Sequence, residues 1–161
     1  MVEQAAYPTA VVTWENVIDV LQLADKYDMP VVRGFCADFL SRNTQQMSIS
    51  AALSSPMNVL TAASLLERYC SGAPELSPFV TAVGTALSSA LSPLSQRQGG
   101  SAGDALCRNA VSNLRRLTES PSYTTTISAT VQARVVSALL AGLESVSTAC
   151  EGCRTGTAIR G

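Results

Sequence analysis

From Val17 to Tyr27, apolar residues recur three and four positions apart. Val17, Val20, Leu21, Ala24 and Tyr27 form a stripe that Ile18 and Leu23 widen, while Asp19, Gln22, Asp25 and Lys26 take the opposite side. The spacing predicts an amphipathic helix, with Thr13 as its N-cap and Glu15 in the first turn, where a carboxylate complements the helix dipole. The run "YDMP" ends it. Proline disfavours a helical backbone at Met29, so Asp28 is expected to cap a second helix with Pro30 in its first turn. Val32, Phe35, Cys36, Phe39 and Leu40 supply the second stripe. Two stripes around a short break predict an antiparallel helical hairpin over residues 13–40.

The pattern stays helical downstream. Ser55-Pro56 reads as a helix start, and "NVLTAASLLERY" (58–69) lies over "NVIDVLQLADKY" (16–27) with Asn, Val, Leu and Tyr retained, a weak repeat with a period of 42 residues. A second hairpin is expected to follow the turn "CSGAPELSP", carried by Phe79, Val80, Val83 and Leu87. Gly, Ser and Gln make residues 92–103 a linker. Asp104 then caps a helix bearing Leu106, Ala110, Leu114 and Leu117, and 118–126 reads as a loop with a brief extended stretch from Tyr123 to Ile127. The last helix starts near Ser128 with a wide face of Val131, Val135, Leu139, Leu140, Leu143 and Val146, and from residue 150 to 161 no period survives, as in a disordered tail. The expected fold is all-α: hairpins stacked into a small bundle.

Composition narrows the chemistry. Hydrophobic residues make up 47% of the 161 positions and aromatics only 5%, so the chain is globular but built from small side chains. Five of the eight aromatics (Tyr7, Trp14, Tyr27, Phe35 and Phe39) fall in the first 40 residues, which places the best-specified core there. A net charge of −1, with Arg115-Arg116 as the one basic doublet, offers no field for nucleic acid or an acidic membrane. No apolar run approaches the roughly 18 residues of a membrane span, and the first ten residues lack the pattern of a signal peptide. A cytoplasmic, or else nuclear, protein is expected. Five cysteines, an odd number, then argue against a disulfide framework.

Candidate site residues are few. Cys150 and Cys153 have the spacing of half a zinc site or of a redox pair, but the chain has no second such motif and no histidine, so neither a metal nor a cofactor is expected. Without histidine there is no Ser-His or Cys-His pair, and no glycine-rich phosphate loop occurs. Glu15, Asp19, Asp25 and Asp28 are spread over a solvated helical face rather than paired in a cleft. These readings exclude the common enzyme classes and leave protein–protein interaction.

The stretch "VTWENVIDVLQLADKYDMPVVRGFCADFL" resembles the C-terminal helical pair of a BTB/POZ domain. The residues that carry the resemblance are Glu15, Asn16, Val17, Leu21, Leu23, Ala24, Asp25, Lys26, Tyr27, Cys36, Phe39 and Leu40; "AAYP" (5–8) is similar to the aromatic-proline ending of that family's preceding helix. The resemblance covers about a quarter of the chain. It implies residues 1–43 as the closing hairpin of a BTB-like domain, whose front-half sheet is not in the chain, and residues 44–149 as a helical extension of the three-box or BACK kind. It also implies an adaptor that self-associates or recruits partners, a cullin-based ubiquitin ligase among them. A self-contained helical-repeat scaffold with no ubiquitin role is the competing expectation.

Overall fold

The computed structural model describes residues 11–96 and 100–155, with side chains as far as Thr148. The described residues form seven helices: α1 (Val17–Lys26), α2 (Pro30–Arg42), α3 (Val59–Cys70), α4 (Ser77–Ser95), α5 (Ser101–Thr118), the single turn α6 (Tyr123–Thr126) and α7 (Ala129–Thr155). Short 3-10 turns at Thr44–Gln46 and Pro74–Leu76 lead towards α3 and into α4. No strand occurs among the described residues; a lone parallel bridge joins Ser48 to Asn58. The fold is an all-α bundle, as the periodicity predicts.

The first hairpin forms where expected, with different capping. Thr13 does not cap α1. Its carbonyl accepts from Val17 at 3.0 Å, while Asn16 ties down the approach: its Oδ1 accepts from the Thr13 amide at 2.8 Å and its Nδ2 donates to the Val11 carbonyl at 2.7 Å. The helix therefore starts at Val17. Asp28 does not cap α2 either. It sits at φ +49 and closes α1 instead: the Asp28 amide reaches the Asp25 carbonyl at 3.2 Å and the Met29 amide reaches that of Ala24 at 2.8 Å. These paired bonds are a Schellman closure, which satisfies carbonyls at the helix end and needs a left-handed residue that aspartate tolerates better than most.

Helix α3 is the centre of the bundle, buried on most of its circumference by Val59, Leu60, Ala62, Leu65, Leu66 and Cys70. It starts three residues after Pro56, because Asn58 and not Ser55-Pro56 supplies the cap: the Asn58 Oδ1 accepts from the amides of Leu60 and Thr61 at 3.0 and 3.4 Å. Asn58 is fully buried, and its Nδ2 donates to the Ala51 carbonyl at 2.8 Å. Polar residues then recur every third position. Thr61 donates to the Leu53 carbonyl at 2.9 Å, Ser64 accepts the Ser128 amide at 3.0 Å, and Glu67 accepts the Ser128 hydroxyl at 2.5 Å. This stripe fastens the 48–55 loop and the start of α7 to the central helix, with each buried polar group partnered.

Helices α4 and α7 pack along one another. Both ends of the expected linker at 92–103 are helical, because α4 runs through Pro93 to Ser95 and α5 begins at Ser101. Proline removes the amide that would reach the Ser89 carbonyl, and the Ser92 hydroxyl donates to that carbonyl in its place at 2.8 Å. Buried Leu91 and Leu94 hold the last turns down. Helix α5 begins at Ser101, so Asp104 lies in its first turn rather than at its cap; Ala110, Leu114 and Leu117 are buried and Leu106 is exposed. The stretch from Tyr123 is a helical turn, not an extended one, with Tyr123 and Ile127 both buried. Helix α7 continues to Thr155, beyond the expected end near Ala149: Gly152 weakens a helix without by itself breaking it.

Two apolar clusters result. One joins Val17, Leu21, Cys36 and Leu40 of the hairpin to Leu65, Leu66, Cys70 and Val83. The other joins Leu60, Leu87 and Leu91 to Leu114, Ile127, Val131 and Val135. Met47 and Ala63 pack against both, so the clusters meet at α3. The hairpin thus buries its inner face on α3 and α4, and residue 43 divides the chain without dividing the core.

Candidate functional site

The hairpin stripes are wider than the core that receives them. Val17, Leu21 and Ala24 of α1 are buried, as are Cys36, Ala37 and Leu40 of α2. Leu23, Tyr27 and Phe35, expected in the core by spacing, are exposed instead, and so are Met29 and Val31. They occupy the last turn of α1, the connecting turn and the first turns of α2, so they gather at the closed end of the hairpin. Leu23 and Tyr27 stand four apart on one helix, and Val31 and Phe35 four apart on the next, so each pair shares a face. Tyr27 is 62% exposed and Val31 68%, well beyond ordinary snorkelling of a tyrosine tip. Burying a side chain of this size contributes roughly 1.5–3 kcal/mol, a gain that folding of the chain leaves largely unrealised at these five positions.

Charged residues occupy the same turns. Arg33 reaches Asp25 at 3.5 Å and Asp28 at 3.9 Å, and its own side chain is largely covered. Its Nε is buried without a hydrogen-bond partner among the described residues. Lys26 places its ammonium over the Tyr27 ring, 5.2 Å from the centroid, close enough for a cation–π contact. At the other end of the hairpin, Trp14 and Phe39 meet edge to face at 5.0 Å and the Trp14 indole donates to Gln46 at 3.0 Å. Phe39 is therefore half-covered by its own neighbour, and its ring stays with the core.

Cys36 and Cys70 are buried, and burial pushes both thiols up to about 11; at Cys36 the neighbouring Cys70 adds to the rise, while at Cys70 the pull of Arg33 acts against it and Asp25 with it. A thiol that far above neutrality is protonated and is a poor nucleophile or metal ligand. Glu15 is fully exposed and its carboxyl is lowered, chiefly by a hydrogen bond from the Thr13 side chain. Asp19, Asp25 and Asp28 lie on exposed positions around α1, and only Asp25 and Asp28 are brought together, through Arg33.

Elsewhere, an open cleft of about 410 Å³ lies between the ends of α4 and α5 and the middle of α7, with Leu94, Asp104, Cys107, Arg108, Gly142 and Val146 on its walls. Cys150 and Cys153 fall within the backbone span of α7, but their side chains lie outside the described residues, as does the "AAYP" segment. Among the described residues no group of three or more His, Cys, Asp or Glu is placed to hold a metal ion. No described helix is long and apolar enough to cross a membrane.

The two members of the weak repeat share a start and little else. Asn16 and Asn58 each precede the first helical residue, Val17 and Val59. Leu23, however, is half exposed where its counterpart Leu65 is buried. The exposed corner is thus a property of the hairpin alone, and the sequence signal for it was an excess of apolar positions over what one helical stripe can bury. Comparison of the chain with models of protein families, with curated proteins and with solved structures returns no match in any of the three.

Proposed function

We propose that the protein is a non-enzymatic interaction module, a partial BTB/POZ-type adaptor that presents the closed end of its first hairpin to another protein. The observation that carries this reading is the exposure of Leu23, Tyr27, Met29, Val31 and Phe35 in the turns at the closed end of the hairpin, where Asp25, Lys26 and Asp28 are exposed as well. An apolar patch with a charged rim is the composition of a docking surface, and aromatic residues with methionine are enriched there. The resemblance of residues 13–40 to the family's closing hairpin suggests the class of partner: a second BTB-type chain, or a cullin.

The test is calorimetric titration of the purified chain with a purified cullin, alongside Tyr27→Asp and Phe35→Asp. Both side chains are exposed, so the variants are expected to keep wild-type helicity. The reading predicts binding by the wild type and a loss of about tenfold or more in each variant, as for a truncated interface anchor. Equal binding by all three chains contradicts it. A self-contained helical scaffold with no ubiquitin role is the second reading, favoured by the common Asn-Val start of α1 and α3; it predicts no cullin binding, and the unlike burial of Leu23 and Leu65 weighs against it.

A further inference from the structure

We propose that Ser120 is a phosphorylation site, presented to a proline-directed kinase by the turn between α5 and α6. Four of the seven prolines follow a serine: Pro56, Pro78, Pro93 and Pro121. Proline offers no amide, so a kinase groove that is apolar at that position, with no partner for an amide, selects a serine followed by proline. The acceptor must also lie extended across the groove, the shape that a following proline favours. The fold decides which of the four serines is free to do so. Ser92 lies within α4 and donates its hydroxyl to the Ser89 carbonyl at 2.8 Å. Ser77 is the first residue of the same helix, with a helical backbone at φ −52 and ψ −41. Ser55 is outside a helix, but Pro56 is buried, and the Ser55 hydroxyl accepts the Met57 amide at 3.2 Å.

Ser120 differs on each count. It stands between the last turn of α5 and the single turn α6, and its hydroxyl meets that of exposed Ser122 at 3.0 Å rather than a helix carbonyl. Thr118, Glu119 and Pro121 are exposed, and Ser120 itself is half-buried. Two backbone bonds hold the turn: the Ser120 amide reaches the Leu117 carbonyl at 3.1 Å, and the Tyr123 amide reaches the Ser120 carbonyl at 3.0 Å. Opening them moves no buried side chain, because the core anchors Leu117 and Tyr123 lie just outside the segment. In the transfer, the Oγ–H proton passes to the kinase's base, Oγ takes the γ-phosphoryl of a nucleoside triphosphate, and the nucleoside diphosphate leaves. The Arg115-Arg116 doublet stands one turn back, and Arg115 is held by Glu119 at 3.0 Å in a solvent-exposed pair. A phosphoryl dianion beside Glu119 competes with that weak partner for the guanidinium. The site is separate from the hairpin corner and does not depend on what binds there.

The folded chain, incubated with magnesium ATP and a purified proline-directed kinase, tests it by intact mass and by peptide mass spectrometry, alongside Ser120→Ala, Pro121→Ala and Ser77→Ala. The wild type is expected to gain one phosphoryl group, located on Ser120. Ser120→Ala and Pro121→Ala are expected to lose it while keeping the wild-type melting curve, neither position being buried, and Ser77→Ala to be modified as the wild type is. A wild type that gains no phosphoryl group overturns the proposal, most sharply if the same kinase modifies a synthetic peptide of residues 114–126, since the turn then fails to present the acceptor. So does a phosphoryl group on Ser55, Ser77 or Ser92 in place of Ser120, or one on Thr118, which would make the basic doublet and not the proline the signal.

Discussion

At the scale of single residues, the departures from expectation have one cause: a side chain or a backbone carbonyl found a better partner than the pattern offered. Thr13, Asp28, Ser55 and Asp104 all look like caps, and none is one. Asn16 and Asn58 hold the starts of α1 and α3, and Asp28 is used for its backbone. Which of several neighbouring polar residues wins such a contest depends on distances that no spacing rule contains. Asp28 gives a direct test. A left-handed backbone suits glycine best, so Asp28→Gly is expected to stabilise the protein by up to about 1 kcal/mol, the weak pairing with Arg33 being little loss, while Asp28→Val costs about 1–2 kcal/mol; urea denaturation measures both. The buried thiols give another. With Cys36 and Cys70 held near 11 in the folded chain against an ordinary 9.0, the unfolded chain loses its protons first. Stability is therefore undiminished by these groups below pH 9 and falls as pH rises from there to about 11. Melting temperature against pH checks this, and Cys36→Ala with Cys70→Ala is expected to flatten most of that slope.

At the scale of elements, the helices were legible and their limits were not. Periodicity locates α1 to α5 and α7 because each must bury a stripe, and that demand is written in the chain. The extension of α4 through Pro93 was not legible, because it depends on the Ser92 hydroxyl reaching the carbonyl that proline leaves free. Periodicity also cannot say how much of a wide stripe is covered. Val131 and Val135 of α7 are buried and Leu140 and Leu143 are not, although the pattern treats them alike. Two glycines separate packing from propensity. A Cβ at Gly84 would meet the Arg134 guanidinium at an ordinary 3.6 Å, whereas at Gly142 it would fall on the Leu94 carbonyl, well inside van der Waals contact. Gly84→Ala is thus expected to stabilise by about 0.5–1 kcal/mol through helix propensity. Gly142→Ala is expected to destabilise by about 1–3 kcal/mol by forcing α4 and α7 apart. Thermal unfolding of the pair reads the opposite signs, and a gain from both would mean that the helices do not cross at Gly142.

At the scale of the whole molecule, the bundle buries one side of its first hairpin and leaves the other open. The downstream helices cover Val17, Leu21, Cys36 and Leu40, so the hairpin is not a loose appendage; Leu23, Tyr27, Met29, Val31 and Phe35 are left exposed. Sequence reasoning found the hairpin, and it assigned Leu23, Tyr27 and Phe35 to the core because helical spacing alone gives no account of which neighbours exist to receive them. The central claim is that this corner is where the protein meets another. It is tested most directly by titrating purified cullin into the isotope-labelled chain and following every backbone amide by NMR. The account predicts shifts concentrated on residues 23–35, with α5 and α7 unmoved. Shifts elsewhere with 23–35 silent, or none at all at saturating cullin, would contradict it.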